Sequence, residues 1–344
     1  MKRKQIISGL SPNELKQIIS EHNLPAFRNK QILDWVFKKN TLTFDKMYNL
    51  PQNLRQDLNE VLSIISLNQE VKFISKLDKT TKYLFRTGDN ETIESVFIPT
   101  KKRATICLST QAGCAFGCAF CASGKDGLIR NLTPDEIISQ VLLIKKDNPM
   151  KPITNIVIMG MGEPLANYNN TLKAIRILNH KDCLEIGARK ITISTCGLPQ
   201  EIIRLAKEGI QVELSISLHA ATDELRNKIM PINKKHPLKE LIAVAKKYTQ
   251  MTNRVITFEY ILIDNLNSKK SDADQLARLL RNFQCKVNLI QFNPVEGMEF
   301  TRINPDELNE FQRVLEGNRI NFTLRRSRGE DIQGACGQLR LKQK

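Results

Sequence analysis

The sequence lacks any long apolar run. No stretch approaches the roughly 20 apolar residues that a membrane-spanning helix needs, and the basic start, MKRKQIISGLSPNELKQ, never reaches the apolar segment of a signal peptide. Low-complexity tracts are also absent, and 41% of the residues are hydrophobic against 26% charged, as in ordinary globular proteins. These absences argue against a membrane-spanning or fibrous protein, and we expect a cytoplasmic protein with no membrane partner.

Acidic residues are few relative to basic ones. The 344 residues include 52 Lys and Arg but only 36 Asp and Glu, which gives a formal net charge of +16. Such an excess indicates a polyanionic partner, for example a nucleic acid. A solvated, lysine-rich surface explains the charge equally well, so the charge alone leaves both interpretations open.

The order of sequence patterns predicts three regions. Residues 1–70 contain segments with helical spacing and are expected to form a small helical domain. Residues 71–110 carry strand-like runs separated by turn residues, which predicts a short β-rich linker. Residues 111–344 alternate apolar strands with amphipathic helices, which predicts an α/β fold with parallel strands. The pattern fits an open doubly wound sheet or a partial barrel, and in both folds functional residues gather where the strands end.

Three clustered cysteines form the most informative motif. Cys114, Cys118 and Cys121 have the spacing C-x3-C-x2-C in a loop of small residues, QAGCAFGCAFCASG, directly after a predicted strand. A structural zinc site normally uses four ligands in two separated pairs. Iron–sulfur clusters ordinarily use four cysteine thiolates, so three would leave one iron of a four-iron cluster open to a substrate or cofactor. Unligated thiols, or a zinc site completed by a distant side chain, are the alternatives.

Polar residues and glycines follow several predicted strands. The segment MGMGEP, residues 159–164, ends one strand, and glycine there lets a ligand approach the backbone closely. Because parallel strands end at one edge of a sheet, these residues are placed to meet a cofactor lying across it. The candidates are Gly162, Glu163, Ser194, Ser217, Leu218, His219 and Asn293. Taken alone, a histidine after a strand is more often structural than catalytic.

Three other residues differ from their sequence surroundings. Cys336 lies in a small, polar, glycine-rich segment, where an accessible thiol suits reactive chemistry better than packing. Cys107, in the strand before the cysteine loop, is by itself interpreted as a core residue. Glu94, in an otherwise apolar strand, is a candidate buried carboxylate, although an exposed strand glutamate is the simpler interpretation. The scattered cysteines are interpreted as small apolar core residues: Cys183, Cys196 and Cys285.

The cysteine spacing, with the aromatic Phe120 before the last cysteine, resembles the radical S-adenosylmethionine (SAM) enzymes. A wider set of motifs resembles the RlmN/Cfr family of radical SAM RNA methyltransferases, in family order from about residue 90 to 340. The motifs include IESVFIP, RATICLSTQAGCAFGCAFCASG, MGMGEPLANY, STCGLP, SLHAATDELRNKIMPINKKHPL, QFNP and DIQGACGQL. The resemblance implies a radical SAM partial (β/α)6 barrel preceded by a helical, RNA-binding accessory domain.

The resemblance also implies a role for each matching residue. The three clustered cysteines would ligate one [4Fe-4S] cluster, and the strand-end residues named above, His219 among them, would contact SAM. Cys336 would be methylated by a first SAM, and a second SAM would yield a radical that takes hydrogen from this methyl group. The resulting methylene radical would add to an adenine carbon. Glu94 would accept the ring proton, and Cys107 would release the product by forming a disulfide with Cys336.

The implied partners follow from the same family. The substrates would be 23S rRNA and tRNA, an electron donor such as a flavodoxin or ferredoxin system would be needed, and the chain would act as a monomer. The segment RRSRGEDIQGACGQL resembles the RlmN branch, which methylates adenine C2. Glu330 replaces the usual Asp and Gln333-Gly334 stands where Asp-Ala is common, so methylation of adenine C8 remains the alternative.

Two other classes of protein remain as competing hypotheses. A radical SAM enzyme of another type would leave Cys107 and Cys336 without roles. A non-enzymatic RNA-binding protein with a structural zinc ion would not need Cys336.

Overall fold

The computed structural model describes residues 4–340. Residues 1–3 and 341–344, at the outer ends of the first and last predicted regions, lie outside the described residues. Residues 4–340 contain no helix with the length and apolarity that crossing a bilayer requires.

The N-terminal part of the chain is helical, as the spacing of its apolar residues predicts. Its strands and helices are β1 (Gln5–Ile6), α1 (Pro12–Glu21), α2 (Phe27–Leu33), α3 (Gln52–Val61) and β2 (Leu62–Ser63). α1 begins with a capping box, because the Ser11 amide donates to the Glu14 carboxylate at 2.7 Å and Ser11 Oγ accepts from the Glu14 amide at 3.3 Å. β1 and β2 pair in parallel and bring the two ends of this part together.

The remaining strands form one large sheet and a small hairpin. They are β3 (Asn68–Ile74), β4 (Thr81–Arg86), β5 (Thr92–Pro99), β6 (Ala104–Cys107), β7 (Gln111–Gly113), β8 (Leu128–Asn131), β9 (Asn155–Ile158), β10 (Ile191–Thr195), β11 (Glu213–Ser217), β12 (Thr257–Leu262), β13 (Lys286–Gln291) and β14 (Phe322–Arg325). The ten-stranded sheet has the order β14-β13-β12-β11-β10-β9-β6-β5-β4-β3. Strands β6 and β9 to β14 are parallel, whereas β5, β4 and β3 extend the sheet as antiparallel strands.

Helices connect the parallel strands, as the alternating sequence pattern predicts. They are α4 (Pro134–Asp147), α5 (Tyr168–Asn179), α6 (Pro199–Lys207), α7 (Asp223–Ile229), α8 (Leu238–Thr252), α9 (Lys270–Leu279) and α10 (Pro305–Gly317). The described sheet has β14 and β3 at its edges, which excludes a closed barrel. The parallel strands follow one another in chain order without a reversal, so right-handed connections place their helices on one face, as in a partial barrel and unlike a doubly wound sheet. The α/β partial-barrel prediction is therefore confirmed.

The N-terminal helices pack directly on α4. Lys145 Nζ donates to the Phe37 carbonyl at 2.6 Å, and Asn40 Nδ2 donates to the Leu142 carbonyl at 3.1 Å. Gly9 lies so close to Asp135 that a Cβ at this glycine would come within 2.7 Å of the Asp135 amide nitrogen. The buried apolar side chains of both parts belong to one continuous core. The N-terminal part is thereby fixed against the partial barrel by packing and by hydrogen bonds.

Two local elements are not predicted by the sequence patterns. The hairpin of β7 and β8 flanks the cysteine loop, but its strands are too short to show an alternating pattern. The helix α7 is also short, and it carries a fully buried charged residue, Arg226, where an amphipathic pattern would place an apolar one.

Candidate active site

A cavity opens at the C-terminal edge of the parallel strands. Its empty space, counted to the open mouth, is about 900 Å³. One wall is the cysteine loop, with Cys114, Cys118 and Cys121, and the facing wall is built from strand ends. The predicted residues that line this first cavity are Gly162, Glu163, Ser194, Ser217, His219 and Cys336. The structure therefore brings the cysteine triplet and most of the strand-end candidates to one place.

Two strand-end candidates lie elsewhere. Leu218 is fully buried, and its carbonyl accepts a hydrogen bond from Arg226 Nε at 3.1 Å. Asn293 lines a second cavity, which also contains Cys107 and Cys336. Neither side chain lines the first cavity, so their predicted contacts with SAM stay predictions.

The cysteine loop is closed by main-chain hydrogen bonds. The Cys114 amide donates to the Gly127 carbonyl at 2.8 Å, and the Cys121 amide donates to the Cys118 carbonyl at 3.0 Å. Gly117 has a φ of +56°, and a Cβ at Gly124 would come within 3.1 Å of the Gly117 Cα. Small residues are thus required for the loop to fold back on itself.

The environment of the three thiols suits metal-bound thiolates. Burial raises the pKa of Cys114 to about 11, and burial also raises the pKa of Cys118 and of Cys121. A thiolate in such surroundings needs a cation to compensate the loss of water. Within residues 4–340, no three Cys, His, Asp or Glu side chains meet the geometry of a site for a single metal ion. Three buried thiols that line one cavity are candidate ligands for an iron–sulfur cluster.

Glu163 is fixed by hydrogen bonds within its own loop and to two other segments of the chain. Its Oε1 accepts from the Leu165 amide at 3.0 Å, its Oε2 accepts from the Cys196 amide at 2.7 Å, and its own amide donates to Gln111 Oε1 at 2.8 Å. Burial raises the pKa of this carboxyl despite these bonds. Gly162 has a φ of +96°, and a Cβ there would lie 2.5 Å from Gln111 Cβ. Only glycine allows this approach of the two strand ends.

His219 is held as a neutral side chain. Its Nδ1 accepts a hydrogen bond from the Ile261 amide at 3.0 Å, which leaves the proton on Nε2. Burial, and secondarily the nearby Arg226, lowers the pKa of His219 to about 3. Phe120 packs edge-on against the imidazole, with 4.6 Å between the ring centroids. The histidine can therefore donate a hydrogen bond to a ligand, and it connects the cysteine loop with the strand ends.

Arg226 is a site residue that the sequence patterns did not identify. Its guanidinium is fully buried and donates to the carbonyls of Cys196, Ser217 and Leu218 at 2.8, 3.0 and 3.1 Å, and to Asn233 Oδ1 at 2.9 Å. Burial lowers the pKa of Arg226 to about 10, so the group is still charged at neutral pH. One side chain thus fixes the ends of β10 and β11, which both border the first cavity.

Cys336 lies at the boundary between the two cavities. It lines both of them, whereas Cys107 lines only the second and the clustered cysteines line only the first. Asn293 Nδ2 donates to the Cys336 carbonyl at 3.1 Å, and the Ala122 amide donates to the Gly337 carbonyl at 2.7 Å. Main-chain anchors on both sides therefore hold this thiol, while its side chain is accessible from the cavities.

A positively charged side chain lies at the boundary between the two cavities. Arg325, at the end of β14, lines both cavities, and its guanidinium is 3.6 Å from Glu259 Oε2. Burial opposes the charge of Arg325, but Glu259 more than offsets this effect, so the pKa of the guanidinium is raised. Burial raises the pKa of Cys336, and Arg325 acts in the opposite direction. Burial likewise raises the pKa of Cys107, to about 12.

Glu94 is buried, and it does not line either cavity. Its carboxylate forms an ion pair with Lys82 Nζ at 3.1 Å and accepts a hydrogen bond from the Arg340 amide at 3.1 Å. The simpler interpretation, an exposed strand glutamate, is therefore wrong. The contact with Arg340 places Glu94 next to the segment that carries Cys336.

The remaining cysteines are buried, as expected for small apolar side chains. Cys183 and Cys285 lie in the apolar core. Cys196 also borders the first cavity, so its position is not explained by packing alone.

Comparisons with known proteins agree with this geometry. Residues 108–280 match the family model described as "Radical SAM superfamily", and residues 7–64 match the "Ribosomal RNA large subunit methyltransferase N-terminal domain". The first match covers the cysteine loop and most of the strand ends that form the first cavity.

Relatives match over nearly the whole chain. The "probable dual-specificity RNA methyltransferase RlmN" of Thermotoga maritima is 48% identical, over 97% of this chain and 96% of that protein. The protein of the same description from Clostridioides difficile is 43% identical, over 100% of this chain and 99% of that protein. A crystal structure of a radical SAM methyltransferase from Sphaerobacter thermophilus has a TM-score of 0.95 and 42% identity, covering 97% of this chain and 99% of that one.

These matches confirm the resemblance on which the sequence-based assignment depends. Membership in the radical SAM superfamily implies a [4Fe-4S] cluster and SAM as cofactors, and the three clustered cysteines line one cavity. The chain belongs to the RlmN family of radical SAM RNA methyltransferases.

Proposed function

We propose that this enzyme is a cytoplasmic, monomeric methyltransferase that transfers a methyl group to adenine C2 in 23S rRNA and in tRNA, with Cys336 as the methyl carrier. One observation carries the proposal. Cys336 is shared by a cavity lined by the three clustered cysteines and a cavity lined by Cys107. A thiol in this position can receive a methyl group on one side and be released by a second thiol on the other.

Cys114, Cys118 and Cys121 would hold the cluster, and Glu163, Ser194, Ser217 and His219 would face SAM across the first cavity. When bound, these two groups supply the methyl group and the radical chemistry that an aromatic carbon requires, because this carbon is not a nucleophile. We propose that two SAM molecules are consumed per methylation, one for the methyl group and one for the radical. A flavodoxin or ferredoxin system would supply the electron.

The proposed steps on the chain itself begin at Cys336. Its sulfur accepts a methyl group, which loses one hydrogen atom, and the remaining carbon bonds to C2 of adenine. The adduct radical then loses one electron, which the [4Fe-4S] cluster held by the three cysteines would take up, and the C2 proton, which Glu94 accepts, so that the aromatic ring is restored in a covalent protein–RNA adduct. The Cys107 thiolate then attacks the Cys336 sulfur and forms a disulfide, and the methylene carbanion left on adenine takes up a proton. The disulfide must be reduced before the next turnover.

The position of Glu94 supports its role as proton acceptor. The side chain is 1% exposed and is bonded to the amide of Arg340, four residues beyond Cys336 in the sequence. A carboxylate that is shielded from bulk water and bonded to the segment that carries the methyl carrier is suited to remove a proton from a buried adduct.

The N-terminal helices present a surface that suits single-stranded RNA. Phe27 and Tyr48 are 57% and 76% exposed, and Tyr48 contacts Trp35 edge-on at 6.2 Å between centroids. The Arg28 guanidinium lies 4.7 Å from the ring centroid of Phe27, and the Lys39 ammonium lies 3.8 Å from that of Trp35. These five residues form the N-terminal aromatic patch. Exposed rings next to cations can stack unpaired bases and contact phosphates. We therefore propose that residues 1–70 form an RNA-binding domain. In this proposal, residues 71–110 are a linker and residues 111–344 are the catalytic domain.

The proposal is tested with anaerobically reconstituted enzyme and an rRNA fragment. Cys336→Ala is expected to form no methylated adenine, Cys107→Ala is expected to accumulate a covalent protein–RNA species, and Cys285→Ala serves as the control with normal turnover. Normal turnover without an adduct in Cys107→Ala would contradict the assigned roles. Mass spectrometry of the modified nucleosides distinguishes C2 from C8, and a C8 product would replace the proposed position by the alternative.

A further inference from the structure

Lys82 is a buried cation in strand β4. β4 reads TKYLFR, and its alternation places Lys82 on the face opposite Tyr83 and Phe85, whose rings stack at 5.8 Å in the core. The lysine is nevertheless only 4% exposed. A buried ammonium group is costly unless it is paired, so its partners show what the charge does.

The Lys82 ammonium group has two polar partners that are far apart in sequence, and it also lies 5.5 Å from the ring centroid of Phe73. It is 3.1 Å from Glu94 Oε1 on the neighbouring strand β5, and it donates to the main-chain carbonyl of Gln333 at 3.3 Å. The other carboxylate oxygen of Glu94 accepts from the Arg340 amide at 3.1 Å. The ion pair therefore contacts the backbone at both ends of residues 333–340.

Cys336 lies between these two contacts. The turn between β3 and β4 adds a third anchor just before the segment, because Asp78 Oδ2 accepts from the Gly329 amide at 3.1 Å. A Cβ at Gly329 would lie 2.8 Å from Thr80 Cγ2, so the two backbones pass each other closely. The antiparallel extension of the sheet thus contacts the chain just before the thiol-bearing segment and at both of its ends.

We propose that Lys82 is a positioning residue, and that its buried ion pair with Glu94 tethers both ends of segment 333–340 and so holds Cys336 at the boundary between the two cavities. The inference rests on the proposed function in one respect, since a fixed Cys336 matters for catalysis only if this thiol carries the methyl group. The tether itself is a property of the resting protein and can be measured without RNA chemistry.

The experiment measures how fast Cys336 reacts with N-ethylmaleimide in the reduced, anaerobically reconstituted full-length protein, using mass spectrometry of peptides. Lys82→Met removes the ammonium group, Lys82→Arg keeps a positive charge, and Lys72→Met is the matched control. Lys72 is on the adjacent strand β3 and forms a partly exposed ion pair with Asp147 at 2.8 Å.

Alkylation of Cys336 is expected to be at least fivefold faster in Lys82→Met than in the unaltered protein, and within twofold of it in Lys82→Arg and Lys72→Met. In turnover assays, kcat of Lys82→Met is expected to fall at least tenfold while KM for RNA changes less than twofold. An unchanged alkylation rate in a folded Lys82→Met protein would overturn the proposal.

A second measurement needs no variant and applies if Lys82→Met does not fold. In the unaltered protein, the Arg340 amide is expected to exchange its hydrogen at least tenfold more slowly than an unstructured peptide, because it donates to buried Glu94. Exchange at the unstructured rate would overturn the tether. If Cys336→Ala still methylates RNA, the proposed function fails, whereas the alkylation and exchange results still decide the tether.

Discussion

The guanidinium of Arg226 donates a hydrogen bond to the main-chain carbonyl of Cys196, 30 residues earlier in the sequence, at 2.8 Å. The same side chain also binds the carbonyls of Ser217 and Leu218. Two adjacent strand ends, each with a residue proposed to face SAM, are therefore joined through one buried charge.

Replacement of Arg226 by Met is expected to lower the free energy of unfolding by about 3 kcal/mol, since several buried carbonyl groups lose their donor. It is also expected to weaken SAM binding at least tenfold. Denaturant unfolding and equilibrium dialysis of SAM with the reconstituted protein measure the two effects. Arg278→Met, on the exposed side of α9, is the control, and a SAM affinity equal in both variants would contradict this role of Arg226.

Gly162→Ala tests the close approach at the end of β9. Because the new Cβ would lie 2.5 Å from Gln111 Cβ at a φ of +96°, Gln111 must move and lose its bond to the Glu163 amide. SAM affinity is expected to fall at least tenfold, and stability by about 2 kcal/mol. Gly209→Ala also has positive φ, +70°, but no atom within 4 Å, so it separates backbone strain from the clash. Equal SAM affinity in the two variants would contradict an effect of this clash on SAM binding.

His219 makes the protein sensitive to acid. The pKa of this histidine is lowered to about 3 in the fold, so between pH 6.5 and 3 the unfolded chain binds a proton that the folded chain does not. Its contribution to stability is complete above pH 6.5 and is lost as the pH falls, by about 2 kcal/mol between pH 7 and pH 5. His219→Gln is expected to lose about 2 kcal/mol less stability over this range than the unaltered protein. Urea unfolding at pH 7 and pH 5 provides the comparison.

The cysteine loop predicts a defined iron content. The reconstituted protein should be brown and contain four irons. The cluster would have only three cysteine ligands, and Cys118→Ala removes one of them, so this variant should lose most of the iron. Cys285→Ala, a buried cysteine in the core, should keep it. Iron and sulfide analysis with the visible spectrum tests this expectation, and a colourless protein with one zinc ion would contradict it.

The N-terminal aromatic patch predicts a separable loss of RNA affinity. Phe27→Ala with Tyr48→Ala removes two exposed rings, and each stacked base contributes about 1–3 kcal/mol in proteins that bind single strands. RNA affinity is expected to fall at least fivefold in filter binding, with SAM affinity unchanged. Met150→Ala, which removes a side chain that is 92% exposed, is the control. Unchanged RNA affinity in the double variant would exclude the patch from RNA binding.

The sequence predicts the parts of this molecule that depend on local patterns. The capping box of α4 is an example, because the Thr133 amide donates to Glu136 Oε2 at 2.9 Å as the spacing predicts. The cysteine triplet and most strand-end residues also meet in one cavity as expected from parallel strands. Their individual roles stay predictions.

The remaining site residues depend on contacts between distant segments. Lys82 carries no sequence signal of burial, and its ammonium group is enclosed by contacts with Phe73, Glu94 and the distant Gln333 carbonyl. Arg226 is on a helix too short for a periodic signal, and its partners are the ends of other elements. Cys196 shows no spacing relative to the triplet, although it borders the same cavity. Contacts between residues that are distant in the sequence cannot be predicted from local sequence patterns.

The core shared by the N-terminal helices and the partial barrel has a consequence for substrate choice. Lys145 and Asn40 join these two parts by hydrogen bonds, and their buried side chains are continuous. The fold therefore sets the distance between the N-terminal aromatic patch and Cys336, because the two parts are packed against each other. If the patch and Cys336 both contact RNA, as proposed, an RNA would need its contacted bases at a matching separation, so its folded shape as well as its bases would decide whether it is a substrate.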